Sequence, residues 1–257
     1  MKLRIIGRSS PYAGPGEAAI GYVVEDADCH VLLDCGSGVT AKYLERYSLA
    51  DLKAVIISHL HPDHAADLFP LGFAVLHALM LGLRKEPVPL YMPPGGVDAF
   101  NTVLDCFGNL QRHYSQAFTY REYKADDQVA VGDWKVRFDR VYHGVNCHGV
   151  IIEGSRGQRL GYTADTKMGP ELERFFHGVD LLLCEATSDA GEHAQNTSHL
   201  TPEEAGQLAA AAGVGHLVLT HFLPGTDGEA KRRRAAQYFS GKVSAAEPDA
   251  VYAVGDR

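Results

Sequence analysis

Hydrophobic and polar positions along the chain follow two periods, one typical of strands and the other of helices. Short apolar or alternating runs of roughly four to eight residues that end at turn residues predict strands. We expect strands or extended chain at residues 3–6, 20–25, 31–34, 53–58, 87–91, 134–141, 149–153, 159–163, 180–185, 216–220 and 250–254. Stretches in which apolar residues recur with a helical period predict helices at residues 40–47, 65–83, 97–107, 201–212 and 229–239.

The order of these elements indicates the fold class. Strands precede helices in both halves of the chain, and no linker rich in Pro, Gly or Ser and no fixed-period repeat divides it. Such elements pack naturally as two mixed sheets back to back with the helices outside. We therefore expect an α/β fold, an αββα sandwich, built as a single domain over residues 1–257.

Composition narrows the classes of function. The chain has 257 residues, of which 46% are hydrophobic, and a net charge of −8, which disfavours a broad surface for the nucleic acid backbone. No apolar run approaches the ~18 residues of a membrane span, and the amino terminus lacks a signal-peptide pattern. Five scattered cysteines without a CxxC pair are typical of reduced thiols. We expect a cytoplasmic protein with no membrane partner.

The segment HLHPDH at residues 59–64 directly follows the predicted strand 53–58. His59 and His61 point to the same side in extended chain, and Asp63 and His64 begin the next turn. Imidazole and carboxylate are ligands of catalytic zinc, which keeps a position open for water. The alternative is a surface loop rich in histidine by chance. A random match to HxHxDH is rare enough that the pattern favours a metal site.

Three further candidate ligands, His143, Asp165 and His221, each follow a predicted strand. Open α/β folds place their sites at the carboxyl ends of strands, so these residues can converge on residues 59–64. In chain order, HLHPDH, a histidine after a strand, YTADT and LTHF resemble the metallo-β-lactamase superfamily of binuclear hydrolases. The segment LLDCGSG at residues 32–38 resembles the first motif of that superfamily. The resemblance covers nearly the whole chain and implies the same αββα sandwich.

The resemblance also implies a role for each candidate. One metal would be bound by His59, His61 and His143, a second by Asp63, His64 and His221, and Asp165 would bridge them. Asp34 would support the ligands from behind. We expect two Zn²⁺ ions per chain, with Mn²⁺ as the alternative. Two such ions share a bridging hydroxide that attacks phosphorus or a carbonyl, and Asp63 would also handle the proton of the attacking water.

A second group of residues distinguishes the branches of the superfamily. The segments CEAT at 184–187, SHLTPEEA at 198–205 and LTHF at 219–222 resemble the carboxyl half of ribonuclease Z and its relatives. This resemblance implies that His199 is a general acid for the leaving oxygen and that Glu185 orients it, as departure of an alkoxide requires. His199 also precedes a predicted helix that Thr201 would cap, with Glu204 at its third position, and the two interpretations coexist.

The chain departs from ribonuclease Z in one respect. That enzyme carries a flexible arm for tRNA between the positions of His143 and Asp165, which are only 22 residues apart here. We therefore expect a short, arm-less phosphodiesterase whose substrates are small or cyclic phosphodiesters or short RNA. The alternatives are a lactonase or thioesterase with the same metal site, a true tRNA 3′-processing endonuclease, and a non-enzymatic binding protein. The complete set of candidate ligands disfavours the last.

Three other features leave alternatives open. The apolar run 68–83 predicts a helix beside the site, and its exposed part favours a homodimer, with core packing as the alternative. The basic residues 231–234 indicate a solvated helix face rather than a phosphate contact. His148 and His193 could contact substrate, although a core or rim position is the simpler interpretation for His148.

Overall fold

The computed structural model describes residues 1–26, 29–189 and 198–255. Within these ranges the backbone forms fourteen strands: β1 (Lys2–Gly7), β2 (Gly21–Asp26), β3 (Cys29–Leu33), β4 (Leu52–Ile56), β5 (Val88–Met92), β6 (Phe118–Glu122), β7 (Gln128–Val131), β8 (Trp134–Arg140), β9 (His148–Glu153), β10 (Arg159–Tyr162), β11 (Leu181–Glu185), β12 (His216–Thr220), β13 (Lys242–Ala245) and β14 (Val251–Ala253). The same ranges contain eight helices: α1 (Val39–Leu44), α2 (Pro62–Ala65), α3 (Leu68–Met80), α4 (Gly96–Cys106), α5 (Gln111–Ala117), α6 (Pro170–Phe175), α7 (Pro202–Ala211) and α8 (Gly228–Ala235).

The strands form two mixed sheets of seven strands each within the described ranges. The first has the order β14-β1-β2-β3-β4-β5-β6 and the second β13-β12-β11-β10-β9-β8-β7. Antiparallel pairs join β14, β1, β2 and β3, and parallel pairs join β3 to β6. In the second sheet β10 to β13 are parallel, and β7 to β10 are antiparallel. The carboxyl ends of parallel strands in both sheets can thus meet at one edge.

Successive side chains along each strand point to opposite faces of its sheet, and this divides the apolar core into layers. On β4, Ala54 and Ile56 face a cluster that fills the space between the sheets, while Val55 faces a second cluster on the opposite side. The first cluster continues to α6, α7 and α8, and the second packs against α1, α3, α4 and α5. The layers are therefore helix, sheet, sheet, helix, which confirms the αββα sandwich.

Most predicted elements are present with bounds shifted by a few residues. The predicted helix over 65–83 is divided, since α2 ends at Ala65 and α3 runs from Leu68 to Met80. The pattern missed α5, α6, β6, β7 and β13. All three missed strands lie at sheet edges, where one side faces solvent and the apolar run is weak. Among the described helices, none is both long and apolar enough to cross a bilayer.

Candidate metal centre

The predicted ligands meet at one edge of the sandwich, where strands of both sheets end. His59 and His61 follow β4, Asp63 and His64 lie in α2, His143 follows β8, Asp165 follows β10, and His221 follows β12. Pro62 occupies the first position of α2, and its fixed backbone angle favours the sharp change from strand to helix. The short α2 then turns two more candidate ligands toward the same space.

The first set of ligand atoms comes from His59, His61, His143 and Asp165, all within 4.8 Å of one another. His61 Nδ1 lies 3.0 Å from His59 Nε2 and 3.2 Å from His143 Nε2. Asp165 Oδ2 lies 3.6 Å from His59 Nε2 and 3.8 Å from His143 Nε2. Three imidazoles and one carboxylate oxygen therefore surround one point.

The second set consists of Asp63, His64 and His221, with Asp165 again in contact. His64 Nε2 and His221 Nε2 are 3.1 Å apart. Asp165 Oδ1 lies 3.0 Å from His221 Nε2 and 3.3 Å from His64 Nε2. Since Oδ2 of Asp165 faces the first set and Oδ1 the second, this carboxylate lies between the two. That is the position expected of a bridging ligand.

The donor atoms fit divalent metal ions. Oδ1 of Asp165 is buried and has no hydrogen bond in the described part of the chain, although two ring nitrogens lie within 3.3 Å of it. A buried carboxylate oxygen without a hydrogen bond is costly unless a cation satisfies it. Tetrahedral zinc with bonds of about 2 Å places its ligand atoms about 3.3 Å apart. The spacing of the ring nitrogens is close to this value.

Asp34 supports the second set from behind. Its Oδ2 lies 2.7 Å from His64 Nδ1 and accepts hydrogen bonds from the Ser58 hydroxyl at 2.8 Å and the Tyr162 hydroxyl at 2.7 Å. Its Oδ1 accepts one from the Ser58 N–H at 2.7 Å. A carboxylate on Nδ1 orients the imidazole and leaves Nε2 toward a metal. Ser10 similarly donates to Oδ2 of Asp63 at 2.9 Å.

The backbone is strained at three positions of the site. Asp34, Ala164 and His221 have φ values of 57°, 51° and 63°, in the left-handed region that residues other than glycine rarely adopt. Each lies at or next to a residue of the ligand cluster or its support. Strained backbone of this kind is concentrated at functional sites, where packing holds it in place.

The charges of the cluster compensate one another in the metal-free protein. Burial lowers the pKa of His221, but the Asp165 carboxylate outweighs this and raises it to about 9. Burial would raise the pKa of Asp165, but His221 and His64 hold it well below its usual range. For His59, burial and the charge of His64 both lower the pKa. A divalent cation would displace the protons of the second set, because metal ligands bind in their deprotonated form.

Glu185 and His199 form a pair beside these ligands. Glu185 ends β11, is buried, and lies with Oε1 3.0 Å and Oε2 3.2 Å from His199 Nδ1. The Thr166 N–H donates to Oε1 at 2.6 Å and fixes the carboxylate. Burial lowers the pKa of His199, but the hydrogen bond and charge of Glu185 outweigh it, and the pKa is raised. The imidazole is therefore oriented and biased toward its charged form.

The surroundings of some residues differ from those that the sequence predicts. His148 is buried at the start of β9 against Tyr123 and belongs to neither set of candidate ligands, and His193 lies outside the described residues. Within 231–234, Arg233 is exposed, but Lys231 is buried, so the prediction of a solvated face is wrong for that residue. The pattern also missed Ser10 and Lys231, because neither belongs to a segment that resembles a motif.

Fold and cluster together define a metallo-hydrolase class of protein: two mixed sheets sandwiched between helices, with histidines and aspartates at their common edge. Residues 30–222 match the model of the Beta-lactamase superfamily domain, and the chain belongs to this superfamily.

Two relatives are similar in sequence along nearly the whole chain, and a third protein shares the fold. The chain is 30% identical to the probable metallo-hydrolase YhfI of Bacillus subtilis, over 98% of this chain and 99% of that protein. The crystal structure of YhfI matches with a TM-score of 0.88 at 29% identity, covering 98% of each chain. A ribonuclease Z of Methanopyrus kandleri is 27% identical over 92% of each protein. A diphosphatase of the PhnP family shares the fold, with a TM-score of 0.78 at 14% identity over 98% of this chain and 97% of that chain.

Proposed function

We propose that this metal-dependent hydrolase is a binuclear zinc phosphodiesterase of the ribonuclease Z-like kind, with Mn²⁺ as the alternative metal. Its substrates would be small or cyclic phosphodiesters or short RNA. The observation that carries the proposal is the contact between His199 Nδ1 and Glu185 Oε1 at 3.0 Å, beside the metal ligands. An alkoxide leaving from phosphorus needs a proton, and a carboxylate-oriented imidazole is suited to supply it.

The position of His199 supports this role. Its ring centroid lies 5.3 Å from that of His143 in the first ligand set and 5.3 Å from that of His221 in the second. Its side chain is 25% exposed, whereas that of Glu185 is 1% exposed. A substrate held against the two sets would thus meet His199 from the solvent side. The buried Glu185 would stay out of contact with the leaving group.

Each residue has a task in the proposed reaction. His59, His61 and His143 would hold one ion, Asp63, His64 and His221 the other, and Asp165 both. When bound, divalent ions supply Lewis-acid activation of the phosphoryl group and of water. Asp63 would accept a proton of the attacking water at its carboxylate. His199 would donate its Nε2 proton to the leaving oxygen, while Glu185 holds Nδ1 and stabilises the imidazolium.

Two observations favour a small substrate over intact tRNA, and a third favours a bond at phosphorus. The chain between His143 and Asp165 forms only the hairpin of β9 and β10 and its connections, which leaves no arm there. The net charge of −8 gives no broad basic surface. Among the relatives, ribonuclease Z and the diphosphatase are named for bonds at phosphorus, which supports the choice of phosphorus over a carbonyl.

We extend the proposal to the organisation of the protein. Residues 1–257 would form one catalytic domain, because strands of both sheets supply ligands to one centre. Cys29, Cys35, Cys106, Cys147 and Cys184 are all free thiols, which suits a cytoplasmic location. Phe73, Met80 and Leu83 on and after α3 are exposed and would support a homodimer.

The proposal predicts that loss of His199 depends on the leaving group. In the His199→Ala variant, kcat for a 3′,5′-cyclic nucleotide should fall by a factor of about 10² or more, because a basic alkoxide must be protonated. For bis(p-nitrophenyl) phosphate the fall should be much smaller, because nitrophenolate leaves without help. Steady-state kinetics on the zinc-loaded protein measures both.

Lactone, thioester and precursor-tRNA substrates in the same assay test the alternatives. Turnover of lactones or thioesters with no phosphodiester cleavage would contradict a reaction at phosphorus and leave the metal site intact. Cleavage of precursor tRNA would restore the tRNA-processing alternative. His177→Ala serves as a control, since that imidazole is exposed just after α6 and its loss should not change the selectivity between leaving groups.

A further inference from the structure

A buried lysine on α8 contacts the segment that follows Glu185. Lys231 is 4% exposed, although the three arginines that follow it are at least partly exposed to solvent. Its Nζ donates to the carbonyls of Ala186 at 2.8 Å, Thr187 at 3.0 Å and Ser188 at 3.3 Å. Burying an ammonium costs free energy unless acceptors replace its water. Three consecutive carbonyls do so here, together with Asp189 Oδ1 at 3.3 Å, and none of the roles proposed for the metal centre explains this arrangement.

The segment 186–188 connects Glu185 with the metal ligands. The Thr187 hydroxyl lies 2.8 Å from Glu185 Oε2 and 2.6 Å from His221 Nδ1. If His221 binds metal through Nε2, its Nδ1–H donates to this oxygen. The hydroxyl proton is then shared between Glu185 Oε2 and the His221 carbonyl at 2.9 Å, and the charged carboxylate is the stronger acceptor. One side chain thus orients both the carboxylate of the general-acid pair and a metal ligand. The direction of the Thr187 side chain depends on the backbone of residues 186–188, whose carbonyls accept from Lys231.

Helix α8 also fixes the segment that carries His199. Arg234 pairs with Asp189 at 2.6 Å and with Glu203, in the first turn of α7, at 2.7 Å. The Ser188 N–H donates to the carbonyl of Leu200 at 3.0 Å. The two segments that bear Glu185 and His199 are thus tied to each other and to α8. Of the two α8 side chains that make these contacts, Lys231 is buried and Arg234 is partly exposed.

We propose that Lys231 is a positioning residue of the general-acid pair: its ammonium holds the 186–188 carbonyls so that Thr187 keeps the Glu185 carboxylate against His199. This rests on the proposed function of that pair. Lys231 contacts no substrate and acts through Thr187 and Glu185. Its loss should therefore impair protonation of the leaving group, while ligands that Thr187 does not orient keep their own supports, such as Asp34 on His64.

The test compares Lys231→Met, which keeps the apolar stem, with Arg233→Met. Arg233 is on the same helix, its side chain is 60% exposed, and it pairs only with Asp227 and Glu229 among the described residues. In Lys231→Met, kcat for the cyclic nucleotide should fall about tenfold or more, and kcat for bis(p-nitrophenyl) phosphate by less than about threefold. Zinc content per chain should equal that of the wild type. Arg233→Met should match the wild type in all three measurements.

Equal losses on both substrates, or lost zinc, would show a merely structural role and overturn the proposal, as would unchanged kinetics. If Lys231→Met does not fold, variants of Thr187 test the same proposal. Thr187→Val removes the hydroxyl from both Glu185 and His221. Measured at saturating zinc, it should show the same selective loss, whereas Thr187→Ser should restore the wild-type ratio. A Thr187→Val variant without selectivity would overturn the proposal. If His199→Ala shows no selectivity between the two substrates, the proposed function itself is wrong. Failure of the proposed function can therefore be distinguished from failure of the role proposed for Lys231.

Discussion

His221, which follows β12, and His148, the first residue of β9, have opposite electrostatic surroundings in this protein. The carboxylate of Asp165 raises the pKa of His221 to about 9 in the metal-free cluster, against the effect of burial. Burial and the nearby Arg140 lower the pKa of His148 to about 4. The His148 ring packs edge-on against Tyr123, and its Nδ1 is buried without a hydrogen bond in the described part of the chain. His148 is therefore a neutral core residue near neutral pH.

This difference predicts acid sensitivity that comes from His148. The pKa of His148 is lower in the folded protein, about 4, than its ordinary value of 6.5. Its stabilising contribution is therefore full above pH 6.5, falls as the pH drops below that value, and is lost by about pH 4. His148→Phe keeps a ring against Tyr123 and removes this proton uptake. Urea unfolding between pH 7 and 4 should show a smaller loss of unfolding free energy than in the wild type.

The comparison uses the slope of unfolding free energy against pH, so any pH-independent packing effect of phenylalanine cancels. His177→Phe is the matched control, because that histidine is exposed, and it should keep the wild-type slope. Parallel pH profiles for wild type and His148→Phe would contradict a neutral buried imidazole.

At the scale of elements, α7 begins immediately after the residue proposed as general acid. The Thr201 hydroxyl accepts from the Glu204 N–H at 3.2 Å, and the Glu204 carboxylate accepts from the Thr201 N–H at 2.8 Å. This reciprocal capping box, with Pro202 at the first helical position, is the cap predicted from the sequence. It fixes the start of α7 and so the backbone position from which the His199 side chain extends.

Removal of this cap should lower stability by a predictable amount. Thr201→Ala leaves a helix N–H without its partner and should reduce the unfolding free energy by about 1 kcal/mol, measured by denaturant unfolding. Thr102→Ala on α4 is the control, because the Thr102 hydroxyl donates to the Asp98 carbonyl one turn earlier within the same helix. That bond adds little to a helix, and the variant should stay within about 0.5 kcal/mol of the wild type. Equal effects of the two substitutions would argue against the cap.

The elements that bear the site were predictable because their patterns are strong. The runs that precede His59, Asp165 and His221 are strands buried at nearly every position, as strands covered on both faces are. In contrast, β13 (Lys242–Ala245) has no buried residue and β7 (Gln128–Val131) only one, so no periodic pattern marks them. Lys231 could not be predicted, because only the tertiary fold brings α8 onto the segment after β11.

At the scale of the whole molecule, the site lies where the two sheets meet, and polar contacts cross between them. Asp34 after β3 accepts from Tyr162 on β10 at 2.7 Å, and the hydroxyls of Tyr22 on β2 and Thr220 on β12 are 2.8 Å apart. The ligands themselves come from both sheets. Ions at this position would therefore connect the two halves of the sandwich in addition to any catalytic role.

Metal removal should consequently lower the thermal stability of the folded protein without unfolding it. The two apolar clusters lie outside the ligand set and should keep the metal-free sandwich folded. Ions that bind only the folded state add a stability that reaches about 4 kcal/mol at a free concentration of a thousand times Kd. We expect the Tm to fall on dialysis against EDTA and to recover on zinc titration, with a plateau near two equivalents. Asp165→Asn should weaken the recovery, because that carboxylate faces both sets. An unchanged Tm, or a plateau at one equivalent, would contradict a two-ion centre that joins the sheets.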